Sequence, residues 1–282
     1  MQENTVYHYT SLETLYHIIN QACTQFITLR ATHIDFLNDY TEHFIAINLM
    51  KEKLIACDDS KGLKSKGLSE KLNDKRISFF RNENFDEMYP HIISFSECWD
   101  SLAMWNTYAN KSKGVALGFD RTKLSELEYS RFDKCEYDTS DYENFLDKNI
   151  ETLHNCTSVN SYSIGFTRDF DSNILDTHFK YLPILKDKGY EYEKEYRLII
   201  PNKIADIKQL KFHPGDRLLK PYKEISIPFE YLTEIVLAPG LSLEKMKTSL
   251  ALFLSQKQQS LSLNSEKGKI HLRESKIPYR DI

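Results

Sequence analysis

Three short segments carry side chains in combinations that could do chemistry. The first is Tyr7-His8-Tyr9-Thr10-Ser11, where His8 sits among hydroxyl-bearing neighbours on a short extended run. A histidine there is either satisfied within the core or placed to hold a ligand. The second is Ser94-Phe95-Ser96-Glu97, followed by Trp99 and by Met104-Trp105-Asn106-Thr107-Tyr108. On a helix Trp105 and Tyr108 are three residues apart and share a face, which makes them plain core or a wall that can stack a planar ring. The third is Tyr190-Glu191-Tyr192-Glu193-Lys194-Glu195-Tyr196-Arg197. Strand geometry there puts Glu191, Glu193, Glu195 and Arg197 on one face and the three tyrosines with Lys194 on the other. Three carboxylates in a row repel unless the face is wet or has a cationic partner, and Arg197 can neutralise only one of them by a bidentate contact.

These segments have to be positioned by regular elements, and the periodicity supplies them. Val6 to Thr10 reads as a strand, and Ser11 caps a helix with Leu12, Leu15, Tyr16, Ile18 and Ile19 at helical spacing. A strand over Gln25 to Arg30 follows, then a helix over Tyr40 to Cys57. Asp58 to Arg76 is dense in Lys, Ser and Gly and reads as a mobile surface excursion. His91 to Glu97 and Gly114 to Phe119 are strands, with a short helix between them capped by Asp100 or Ser101. Helices are expected over Asp138 to Cys156 and Ile174 to Leu185, then a strand over Tyr190 to Ile200. Tyr231 to Leu237 and Lys269 to Arg273 are the last strands, separated by a helix over Ser242 to Gln256. The sum is one composite α+β domain over residues 1–282.

Composition narrows the function classes. Lys and Arg number 37 against 41 Asp and Glu, so no global basic excess draws the chain to nucleic acid or an anionic membrane. With 17 Tyr and 16 Phe the chain can bury a real core. No apolar run approaches the length of a membrane span. The first ten residues lack a secretory pattern. The five cysteines are scattered, without a C-x-x-C pair, so neither structural zinc nor a disulfide framework is expected, and the expected location is the cytoplasm. G-x-G-x-x-G, the P-loop, H-E-x-x-H and G-x-S-x-G are all absent.

In combination, the segments resemble a bacterial family known as domain of unknown function 2971. The matching pieces are Tyr7 to Ser11, Phe36-Leu37-Asn38-Asp39 with Glu42, and Ser94 to Glu97 leading through Asp100-Ser101-Leu102 to Met104-Trp105 and Tyr108-Ala109. They continue with Gly114 to Asp120, Tyr192 to Arg197, Glu234 to Gly240 and Ser275-Lys276-Ile277-Pro278-Tyr279-Arg280. Where the family shows Asn-Asp-Pro, this chain has Asn38-Asp39-Tyr40.

The opening His-x-Thr strand, the central aromatic cluster and the late Glu on a strand are also similar to the ADP-ribosyltransferase superfamily, which includes toxins that modify DNA. That resemblance implies an ADP-ribosyltransferase-like mixed or antiparallel split sheet with peripheral helices, and NAD as substrate with no metal. It implies that His8 and Thr10 hold a ribose, with Ser94 beside them and Trp105 or Tyr108 stacking on nicotinamide. Arg197 or Arg30 would hold the pyrophosphate. Glu195 as first choice, or Glu193, would stabilise the ribosyl cation. The implied activity is transfer of ADP-ribose to a nucleic acid or protein, in the manner of a toxin or anti-phage effector. NAD hydrolysis on the same fold and a non-catalytic nucleotide-binding or interaction module are the rival readings.

Overall fold

The computed structural model describes residues 4–22, 25–38, 42–60, 90–160, 163–166, 172–201, 210–214, 218–241, 243–260 and 270–278. Strand β1 (Thr5–Thr10) leads into helix α1 (Leu12–Asn20). The Ser11 hydroxyl accepts from the backbone N–H of Thr14 at 3.0 Å, satisfying a donor that the first helical turn leaves unpaired. Strand β2 (Phe26–His33) runs three residues beyond its expected end, and helix α2 spans Glu42–Ser60. Residues 58–60 of the expected excursion therefore close α2; the remainder, 61–76, lies outside the described residues.

Strand β3 (His91–Ser96), helix α3 (Leu102–Tyr108) and strand β4 (Val115–Asp120) follow. Then come α4 (Arg121–Ser125), β5 (Arg131–Lys134), α5 (Ser140–Cys156), the hairpin of β6 (Thr157–Asn160) with β7 (Ser163–Phe166), and α6 (Ser172–Tyr181). The last group is β8 (Glu195–Ile200), β9 (Lys211–Pro214), β10 (Leu219–Pro228), β11 (Leu232–Leu237), α7 (Leu243–Ser260) and β12 (His271–Glu274). The expected helix over Ile174 to Leu185 stops four residues early, at Tyr181; Pro183 cannot continue the helical hydrogen bonding.

The main sheet runs β12-β11-β4-β1-β3-β2-β10-β9, with β8 beside β3 and β5 beside β8. Every pair is antiparallel except β11 with β12. The architecture is α+β, a mostly antiparallel open sheet with helices packed on it. One cluster of buried side chains joins α1 and α7 to the sheet through Leu15, Ile19, Leu117, Ile235 and Leu254. A second gathers α2 and α5 around Ile47, Met50, Tyr142 and Leu146. A third seats α3 on Tyr7, Tyr9, Ala116 and Val236.

The sheet parts at β3. One edge of this strand pairs with β8 along its whole length, from His91 opposite Ile200 to Ser96 opposite Glu195. The other edge is shared: β1 meets it at Ser96, and β2 meets it at His91 and Ile92. Among the described residues, Ile93–Phe95 have no strand partner on that edge. A backbone group left so must find another partner, and the carbonyl of Ser94 finds the His8 ring, Nδ1 at 2.9 Å.

Candidate functional site

A cleft of about 210 Å³ opens where β1 and β2 part. Tyr7, His8 and Tyr9 line it from β1, Arg30 and Thr32 from β2, and Ile92 to Phe95 from β3. The turn after β2 adds Phe36, Leu37 and Asn38, α3 adds Met104 and Tyr108, and β10 adds Lys220. Lys186, Glu193, Glu195 and Arg197 complete the wall.

His8 has a defined tautomer. A carbonyl only accepts, so Nδ1 carries the hydrogen bonded to Ser94 O. Burial lowers the imidazole below its ordinary value, outweighing the contact to Ser94. The ring is therefore neutral at neutral pH, with Nε2 left as an acceptor.

The carboxylate segment departs from the expected strand. Residues Lys188–Glu193 form a 3-10 turn capped by the Asp187 side chain, and Lys194 lies in the left-handed region at φ 44°. Only from Glu195 onward is the chain extended. Glu191 is thus removed from the row, while Glu193 and Glu195 both turn toward Lys186, whose Nζ lies 2.5 and 2.7 Å from their Oε2 atoms. Arg197 grips Glu195 with Nε and one Nη, each at 3.0 Å, and gives its other Nη to the carbonyl of Pro183 at 2.7 Å. Glu193 Oε1 instead accepts from the Tyr108 hydroxyl at 2.7 Å. All four charged side chains are no more than 4% exposed.

The two carboxylates consequently differ. Burial pushes the Glu195 carboxyl up, but Arg197 and then Lys186 outweigh it and hold it at about 2. Burial, then the Glu193 carboxylate, drives the Tyr108 phenol well above its ordinary range, so it stays a neutral donor.

Helix α3 is fixed at both ends. At its start Asp100 Oδ1 accepts from the Trp105 indole at 2.8 Å and the Ser275 hydroxyl at 2.6 Å, and Oδ2 accepts from the backbone of Lys276 at 2.8 Å. Ser101 flanks the helix without a side-chain cap. At its end Asn110, Lys111 and Ser112 all have positive φ, and the Ser112 N–H returns to Trp105 O at 2.9 Å. The chain then re-enters β4 at Gly114, where a Cβ would stand 2.2 Å from the Thr10 carbonyl.

Of the residues singled out from sequence, His8, Ser94, Tyr108, Glu193, Glu195, Arg197 and Arg30 line the one cleft. Trp105 does not: it is 0% exposed and packs edge-on against Tyr9 at 4.7 Å, because α3 turns that side onto the sheet. Thr10 is buried at the end of β1 opposite Val115, outside the lining. Arg197 turns to Glu195 and the Pro183 carbonyl. Arg30 sits with its guanidinium over the Tyr222 ring at 4.8 Å.

Sequence reasoning missed Lys186, Lys220 and the Phe36 to Asn38 turn. The signal for Lys186 was the need of stacked carboxylates for a cation. Phe36-Leu37-Asn38 stood in the family resemblance without a role, and nothing pointed to Lys220. Among the described residues, no group of three His, Cys, Asp or Glu side chains could hold a metal ion, and no helix is long and apolar enough to cross a membrane.

A family model described as Protein of unknown function (DUF2971) matches residues 104–198. That stretch holds most of α3, β4, Lys186 and the Glu193–Arg197 group; His8, Arg30 and the C-terminal segment lie outside it. No curated protein and no solved structure matches the chain.

Proposed function

We propose that the cleft binds NAD and that the protein transfers its ADP-ribosyl group to a macromolecule, nucleic acid or protein. The observation that carries this reading is the convergence, at the parting of β1 and β2, of a neutral imidazole, a carboxylate beside a phenol, and cations in excess of carboxylates. Lys186 and Arg197 balance Glu193 and Glu195. Arg30 and Lys220 are left over at the cleft, and no carboxylate among the described residues pairs with either. Two such cations suit the phosphates of a pyrophosphate. Nε2 of His8 suits a ribose hydroxyl, and the rings of Tyr108 and Phe36 offer apolar faces for a planar base.

Loss of nicotinamide breaks the bond between the ribose anomeric carbon and the pyridinium nitrogen. The electron pair leaves with the ring, which departs neutral, and positive charge develops on the ribose. A carboxylate at that point favours the transition state over the ground state. Glu193 suits this role better than Glu195, because Glu195 already meets two cations while Glu193 Oε1 meets only a neutral phenol. Glu195 then orients Lys186 and Arg197. The acceptor closes the reaction by bonding to the anomeric carbon and losing its proton.

A second reading, a nucleotide-binding module without turnover, is favoured by the ion pairing that every carboxylate of the cleft already enjoys. Incubation with NAD labelled in the adenylate, with and without cell lysate and nucleic acid, separates the readings. Label appearing on a macromolecule is the expected result. Free ADP-ribose alone would mean hydrolysis, and bound but intact NAD would mean the module.

A further inference from the structure

The cleft has two ends, and β3 sets the distance between them. At the Ser96 end, the Ser96 hydroxyl donates to the carbonyl of Glu193 at 2.5 Å, and the Tyr108 hydroxyl meets the Glu193 carboxylate. At the His91 end, the N–H of Ile34 donates to the carbonyl of Pro90 at 3.1 Å, which sets the turn after β2 against the foot of the strand. Strand β3 has six residues, so at a rise of about 3.3 Å per residue its ends are roughly 16 Å apart. Between them lie His8, bonded to Ser94, and Arg30, two residues before the Thr32 that pairs with Ile92. Lys220 comes two residues before Tyr222, itself opposite Thr32, and so stands level with the start of the turn.

The turn itself is well anchored. The Leu37 N–H returns to the carbonyl of Ile34 at 3.3 Å, the Leu37 side chain packs on the cluster of α2 and α5, and the Phe36 ring stands edge-on to His33 at 5.7 Å. Phe36, Leu37 and Asn38 all line the cleft. Asn38 is exposed, and among the described residues no hydrogen bond engages its amide. A primary amide donates from its nitrogen and accepts at its oxygen. That pattern matches the 6-amino group and N7 of adenine, whereas a 6-oxo purine offers two acceptors on the same edge. From this we infer that the turn is the base-specificity subsite of the cleft: it takes an adenine, with Phe36 against the ring and the Asn38 amide on its 6-amino and N7 edge. The inference rests on the NAD reading and orders the dinucleotide along β3. Nicotinamide lies at Tyr108 and Glu193, its ribose at His8, the phosphates at Arg30 and Lys220, and adenine at the turn.

The test is a calorimetric titration of NAD and of nicotinamide hypoxanthine dinucleotide, in which an oxo group replaces the 6-amino group, into wild type and Asn38→Ala. AMP, IMP and nicotinamide mononucleotide are titrated alongside, and nicotinamide release is measured with both dinucleotides. Asn38 is exposed, so its substitution should leave the urea midpoint unchanged, and the comparison of the two dinucleotides in wild type needs no variant at all. Wild type should bind NAD about tenfold or more tighter than the hypoxanthine analogue, the scale of one bidentate pair. Asn38→Ala should bind NAD more weakly by about the same factor and no longer distinguish the two. Nicotinamide mononucleotide, which lacks the adenylate, should bind wild type and variant alike. Equal affinity of wild type for the two dinucleotides, a preference that survives in Asn38→Ala, or weaker binding of the mononucleotide by the variant overturns the inference. Release of nicotinamide from both dinucleotides without preference leaves the proposed function standing and removes the base subsite alone. A preference for AMP over IMP that Asn38→Ala abolishes, with NAD never consumed, does the reverse, and a protein that binds none of these compounds overturns both.

Discussion

Arg197 grips both oxygens of Glu195, whereas Glu193 meets one ammonium and one phenol, so substituting the two carboxylates should have different consequences. Glu193→Gln should lower nicotinamide release by about a hundredfold or more and leave NAD affinity nearly unchanged, since a contact made in the transition state alters turnover more than ground-state binding. Glu195→Gln should also lower turnover, but its distinguishing effect is on stability. It removes the buried carboxylate that Arg197 grips with two nitrogens and that Lys186 shares with Glu193, a loss of about 3–5 kcal/mol, readable as a fall in the urea midpoint. His8→Ala should weaken NAD binding and turnover together, because the acceptor it offers exists before reaction. At this scale the sequence was partly legible. The row of carboxylates announced a need for a cation, but Lys186 lies outside the row and only the fold brings it back.

Helix α3 presents Tyr108 to Glu193, and Asp100 ties its start to Ser275 and Lys276. Asp100→Ala removes three hydrogen bonds at once and leaves the buried Trp105 N–H without an acceptor, at a cost of about 1–3 kcal/mol for that group. The expected result is lower stability with faster amide exchange confined to α3 and Ser275–Ile277; protection unchanged there would show that packing alone holds the helix. Elements with strong periodicity and a capping residue, such as β1 with α1, were readable from sequence. Others were hidden by their own chemistry. β10 carries Pro221 and Pro228 among Lys and Glu, which obscures a strand that pairs with β2 over seven residues. The Tyr190 to Arg197 stretch alternates like a strand, yet its first half is a 3-10 turn, because the Asp187 cap and the left-handed Lys194 override the pattern.

The whole molecule should be sensitive to acid, and the sign follows from two buried groups. Burial holds His178 at about 4, against its ordinary 6.5, while Arg197 and Lys186 prevail over burial to hold Glu195 at about 2, against 4.5. Both folded values lie below the unfolded ones, so the unfolded chain binds more protons and falling pH destabilises the fold. The His178 contribution is complete above pH 6.5 and is lost as pH falls through 4. That of Glu195 is complete above 4.5 and is lost toward 2. Each amounts to about 3 kcal/mol. Urea unfolding from neutral pH downward should show this decline, and stability that is flat between those limits would contradict the burial assigned to His178 and the ion pairing assigned to Glu195. The parting of β1 and β2 on one edge of β3 was not legible in any local pattern, since it depends on pairings between strands far apart in the chain. It is nonetheless what creates the cleft, and consumption of NAD there through Glu193 is the central functional proposal. Free nicotinamide, quantified after incubating NAD with wild type or Glu193→Gln in the presence of lysate and nucleic acid, decides it. Wild type should release nicotinamide steadily, and the variant about a hundredfold less at equal NAD occupancy; no release by wild type, or equal release by both, would contradict the role given to Glu193.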